Sequence, residues 1–150
     1  MVRHIVRFGS GVAVMMALAC GDPEIVVPSV LSVDFYPPHG SVDISVGMQG
    51  LIAFSHQVAD RDEAVNQIGL SCLGSPNPTC AAPTSEDCGD MPRTTVTVAP
   101  GEMEAHVSLD DNLELNRCYV FQVAAGIEAA ENNVGPLPND RRSMFRTQEN

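Results

Sequence analysis

Tyr119-Val120-Phe121-Gln122-Val123-Ala124 is the stretch that decides the fold. Large apolar side chains stand at every second position, with Tyr119, Phe121 and Val123 on one side and Val120, Gln122 and Ala124 on the other. A period of two belongs to a strand with one buried face. The same reading works outward in both directions. Upstream, Ala105, Val107 and Leu109 alternate with Glu104, His106 and Ser108. Before them Val96 and Val98 alternate with Thr95 and Thr97, and Pro100-Gly101 supplies a turn between the two runs. These two runs predict a hairpin.

Ile68, Leu70 and Cys72 mark a further strand, and Gly50, Ile52 and Phe54 define one face of another. Leu31, Val33 and Phe35 alternate with Ser32 and Asp34 in the first, which Tyr36-Pro37-Pro38-His39-Gly40 breaks. Downstream, 143–147 gives a last short strand around Met144 and Phe145. No stretch carries a long 3.6-residue apolar period. Asp60-Arg61-Asp62-Glu63 has capping-box spacing, which predicts one helical turn over Ala64 and Val65. About seven short alternating strands predict an all-β chain folded as an Ig-like β-sandwich of antiparallel strands.

Composition sets the limits around that fold. The 150 residues are 44% hydrophobic and 18% charged, which suits one small domain and not a disordered chain. Acids number 19 against 8 basic residues, for a formal charge of −11. So acidic a surface argues against a nucleic-acid partner and against electrostatic docking on anionic lipid.

The first residues read as an address. Arg3 and Arg7 form a positive start, and the apolar run from Phe8 to Ala19 follows. About 12 residues is too short to span a bilayer, which takes about 20, and suits a signal peptide. Leu18-Ala19-Cys20-Gly21 resembles the lipobox of bacterial lipoproteins. That resemblance implies cleavage after Ala19 and lipidation of Cys20. The expected divisions are a signal peptide over 1–19, a lipidated cysteine and tether over 20–28, the sandwich over 29–147 and a tail over 148–150. The implied partner is a membrane, reached through the lipid, with the outer membrane favoured by Gly21 in place of an aspartate.

Four cysteines remain: Cys72, Cys80, Cys88 and Cys118. An even number in an exported domain reads as two disulfides. No pair has the spacing of a zinc knuckle, so no metal and no cofactor is expected. Of the three possible connectivities, the favoured one joins Cys80 to Cys88 within a loop and Cys72 to Cys118 across the domain. Strand parity speaks against the second bond, since it turns Cys72 inward and Cys118 outward. The 73–92 loop is rich in Pro, Ser, Gly and Cys, and the disulfides are expected to hold it.

Two longer stretches resemble the bacterial Ig-like domain of surface-layer proteins. The first is Pro37-Pro38-His39-Gly40-Ser41-Val42-Asp43-Ile44-Ser45-Val46 with Ile52-Ala53-Phe54-Ser55. The second comprises Leu113, Leu115, Tyr119, Val123, Gly126-Ile127, Asn132-Asn133 and Phe145-Arg146-Thr147. Gly50 departs from the pattern, standing where that family has a bulky apolar residue. The resemblance implies a spacing, display or adhesion role without catalysis.

The residues themselves carry little chemistry. No nucleophile elbow, metalloprotease motif or phosphate loop is present. His39, His56 and His106 stand in separate segments. Asp110-Asp111-Asn112 and the acids at 60–63 offer oxygens at turns, without EF-hand spacing. Candidate interaction residues are Tyr36, the one aromatic at a turn, with Asp110 and Asp111. The expectation is a non-catalytic envelope lipoprotein that displays the 73–92 loop or serves a structural role. The alternative is a soluble exported enzyme inhibitor, or a ligand-binding module, using that loop.

Overall fold

The computed structural model describes residues 29–76, 79–81 and 88–149. The expected signal peptide, Cys20 and its tether lie outside the described residues. The chain forms an all-β, Ig-like sandwich of two four-stranded sheets. The first sheet runs β2 (Val33–Tyr36), β4 (Gly50–Phe54), β7 (Glu104–Leu109) and β6 (Thr94–Val98). The second runs β3 (Ser41–Ile44), β10 (Arg141–Thr147), β8 (Cys118–Val123) and β5 (Ile68–Gly74). The strand pairs within and between these sheets follow the order of an immunoglobulin sandwich.

All seven strands read from the sequence are present, and three more join them. β1 (Ser29–Val30) and β9 (Val134–Gly135) form a two-residue pair. β3 lies where the sequence reads as a Pro-rich break and the chain beyond it. Tyr36-Pro37 is a cis bond, Pro37 is fully buried, and the chain crosses there from one sheet to the other. β3 then pairs with β10 in parallel, as β1 does with β9, so the strands are not all antiparallel. Ser41-Val42-Asp43-Ile44 alternates in sequence, but its burial does not follow: Val42 is 55% exposed and Asp43 has a left-handed φ of 58°.

Period two does what it predicts for the core. Val33, Ile52, Phe54, Ala105 and Val107 face inward from the first sheet, and Ile68, Tyr119, Phe121, Val123 and Phe145 from the second. Phe145 stacks between Tyr119 and Phe121, with ring centroids 5.8 Å and 5.4 Å away. Such aromatic pairs add about 0.5–1.5 kcal/mol beyond the area they bury. Gly50 now has a physical reason. A Cβ there would run into the Phe121 ring, which crosses the interior from the opposite sheet and fills the space of the missing side chain.

Among the described residues, Ser143 and Thr147 are buried in this apolar interior, and both hydroxyls are satisfied. Ser143 Oγ donates to the Pro37 carbonyl at 3.0 Å, which ties the crossover to β10. Thr147 Oγ1 donates to the Glu114 carbonyl at 2.7 Å and accepts from the Arg117 amide at 3.0 Å. α1 (Arg61–Asn66) closes one end, as its spacing predicts. Asp60 Oδ1 caps it, accepting from the Asp62 and Glu63 amides at 2.9 and 3.0 Å. Glu63 does not complete the reciprocal box; it accepts from Gln67 Nε2 at 2.9 Å instead.

Tyr119 opens β8 as a tyrosine corner. Its hydroxyl accepts from the Glu114 amide at 3.0 Å, while only 1% of the residue is exposed. Burial pushes this phenol above its ordinary 10.0, and the Glu114 amide bond opposes the shift. Tyr119→Phe leaves the part-buried Glu114 amide without its acceptor and costs about 1–2 kcal/mol. A raised phenol favours the folded state fully below the unfolded value near 10.0 and loses that advantage as pH climbs through the folded value. Urea unfolding from pH 8 upward is therefore expected to show a steeper alkaline loss in the wild type than in Tyr119→Phe. Equal slopes would remove Tyr119 from the explanation.

Candidate functional site

The disulfides correct the connectivity favoured from the sequence. Cys72 pairs with Cys88 and Cys80 with Cys118, with Cα atoms 6.0 Å and 5.4 Å apart. The reason is strand parity. In the β5–β8 ladder Cys72 stands opposite Tyr119, so it shares the inward face, whereas Cys118 is the next residue and faces out. Cysteines on opposite faces of one sheet cannot join. Cys118 instead meets Cys80, whose segment lies against the outer face of the second sheet. Cys88 returns to Cys72 at the sheet's edge strand.

The loop is therefore held by two bonds to neighbouring strands, with no local bridge inside it. Side chains reinforce both of its ends. Ser75, just beyond β5, bonds to Arg117 Nη1, and Arg117 Nε donates to Glu114 Oε2 at 3.0 Å. After Cys88 the chain passes so close to the Glu114 carboxylate that a Cβ on Gly89 would collide with it. Glu114 thus bonds through its amide to Tyr119, its carbonyl to Thr147 and its carboxylate to Arg117. One short segment before β8 ties loop and core together.

Between the Cys80 segment and the outer face of β3 and β10 lies a cavity of about 310 Å³. Val42, Ala81, Met144 and the Cys80–Cys118 bond give it a largely apolar wall, with His39 and Arg146 at its sides. His39 Nδ1 accepts from the Met144 amide at 3.2 Å, so this ring nitrogen serves the backbone. Arg146 reaches Glu149 at 3.2 Å and Asp43 at 3.9 Å. Sequence reasoning missed this cavity, since it joins residues near positions 40, 80 and 145.

The remaining sequence candidates fall elsewhere. Asp110 Oδ1 accepts from the Arg93 amide at 2.7 Å, and the Asp110 amide donates to the Arg93 carbonyl at 3.1 Å. Asp110 thereby continues the β6–β7 ladder by one step. Asp111 Oδ1 accepts from the Asn112 amide at 2.7 Å. Both acids shape the turn, and with Asp90 and Arg93 they line a separate cavity of about 380 Å³. Tyr36 is 63% exposed at the end of β2.

Among the described residues, no group of three or more His, Cys, Asp or Glu side chains is placed to hold a metal ion. His56 Nδ1 bonds to Ser55 at 3.0 Å and His106 lies 3.8 Å from Glu104. Neither histidine shares a cavity with His39. No helix among the described residues is long and apolar enough to cross a membrane. No protein-family model matches the chain, and no curated protein matches it.

Proposed function

We propose that the chain is a non-catalytic lipoprotein of the bacterial cell envelope, in which the Ig-like sandwich serves as a display and interaction module. The observation that carries this reading is the cysteine count. Five cysteines are present, and Cys72, Cys88, Cys80 and Cys118 are consumed in two bonds inside the sandwich. Cys20 is left over, in the lipobox-like Leu18-Ala19-Cys20-Gly21. Stable disulfides belong to oxidising compartments outside the cytosol, which agrees with export. Lipid on Cys20 also removes a reactive thiol from an oxidising compartment.

In this reading, the sandwich begins within about ten residues of the lipid and stands close to the bilayer. The loop over 73–92 is the recognition surface. Long loops on rigid sandwiches carry binding because the scaffold fixes them while their sequence is free to vary. The likeness to surface-layer Ig-like domains supports the same role.

Intact mass of membrane-extracted protein, with fractionation of Cys20→Ser, tests the anchor. The expected mass is that of residues 20–150 with acyl chains, and Cys20→Ser is expected in the soluble fraction. A mass without lipid, or a Cys20→Ser variant that stays with the membrane, overturns the anchored reading. The first result also moves a soluble inhibitor acting through the same loop ahead of surface display.

A further inference from the structure

The crossover between the two sheets leaves a further concave site, lined by no residue of the disulfide-held loop. Tyr36, Pro37 and the 43–49 segment line a cavity of about 440 Å³, within the usual size range of small-molecule sites. We propose that this cavity is a subsite for a neutral saccharide, with Tyr36 as its stacking platform. This goes beyond the display role and does not depend on the anchor.

Tyr36 is the first support. A tyrosine ring that is 63% exposed contrasts with Tyr119, which is 1% exposed in the core. An exposed phenol ring offers an apolar face with a polar tip, which matches the alternating C–H faces and hydroxyls of a pyranose. Composition within the cavity is the second support. Ile44 and Met48 add apolar surface, while Asp43, Ser45 and Gln49 bring a carboxylate, a hydroxyl and an amide. A carboxylate accepts, and an amide both accepts and donates, which meets the donor and acceptor character of vicinal hydroxyls.

Asp43 has a left-handed φ of 58°, a conformation that Asp adopts more readily than most non-glycine residues and that fixes the bend of the cavity wall. Asp43 and a net charge of −11 disfavour anions, and the apolar surface of Tyr36, Ile44 and Met48 suits the C–H face of a neutral sugar better than a small hydrated cation.

The chain contains no tryptophan and two tyrosines, so tyrosine emission reports largely on Tyr36 and Tyr119. The full chain, held in a sugar-free detergent, is titrated with chitotriose, cellotriose and mannotriose in turn. Saturable change in emission with at least one of them is expected. Calorimetry on variants then separates stacking from other contacts. Tyr36→Ala is expected to weaken binding about tenfold. Tyr36→Phe, which keeps the ring, is expected to bind like the wild type, and Gln49→Ala to bind less tightly. These exposed positions leave the core untouched, which unchanged melting temperatures would verify. The proposal is overturned by no saturable binding of any probe up to its solubility limit. It is equally overturned by unchanged affinity in Tyr36→Ala, or by equal losses in Tyr36→Ala and Tyr36→Phe. Release of Cys20→Ser from membranes is read separately, so failure of the saccharide site and failure of the anchored reading are told apart.

Discussion

Removing the Cys80–Cys118 bond with the paired variant Cys80→Ala/Cys118→Ala is expected to lower stability by about 4 kcal/mol. The bond spans 38 residues, whereas Cys72–Cys88 spans 16, and a longer closed loop restricts the unfolded chain more. The Cys72→Ala/Cys88→Ala pair is therefore expected to cost about 3 kcal/mol in the same model. Both losses are large against the 5–15 kcal/mol that typical domains possess. Packing adds to the first. Cys118 is fully buried although it points out of the sheet, and the Cys80 sulfur lies 3.6 Å from the Phe145 carbonyl. Paired replacement avoids leaving a free thiol to mispair. Denaturant midpoints, with peptide mapping under non-reducing conditions, provide the check. A larger loss from the Cys72/Cys88 pair, or a map showing Cys80 joined to Cys88, would count against this arrangement.

Phe121→Ala is expected to cost about 3–5 kcal/mol, the range for emptying an aromatic site in a packed core. Phe121 is fully buried, stacks on Phe145 at 5.4 Å and fills the space above Gly50. The adjoining glycine makes the argument sharper. Gly50→Ala pushes a methyl group into the Phe121 ring and is expected to cost about 1–3 kcal/mol through overpacking. In a Phe121→Leu background the ring is gone, so the added methyl has room. The two changes are then expected to be non-additive, with the double variant more stable than the sum of the singles predicts. Urea unfolding of the four proteins closes this cycle. Strict additivity would mean that Gly50 is glycine for another reason.

The two sets of variants show where sequence reading succeeds and where it stops. The core strands are legible because their information is local. Inward positions at Tyr119, Phe121 and Val123 repeat within six residues, and the same holds for Ile52 and Phe54 or Ala105 and Val107. Asp60 is legible for the same reason, since a cap acts on amides two and three residues away.

β3 was not legible because its partner is Arg141–Thr147, about a hundred residues on, and because its polar–apolar alternation does not give one buried face. The bonding of Cys118 was decided by the placement of the Cys80 segment against the outer face, which no local period encodes. Parity did carry the warning, since it turned Cys72 and Cys118 to opposite faces. Gly50 looked like a departure from a pattern until the opposite sheet supplied a ring to fill its place. The cavity beside Tyr36 exists only because the buried Pro37 carries the chain from one sheet to the other. By itself, then, the sequence determined the seven core strands, the helix cap and the inward and outward faces of those strands, all properties of neighbours within a few residues. Tertiary structure alone decided which cysteines meet, which ring fills which gap and which side chains share a cavity, because those depend on close packing between segments far apart in the chain.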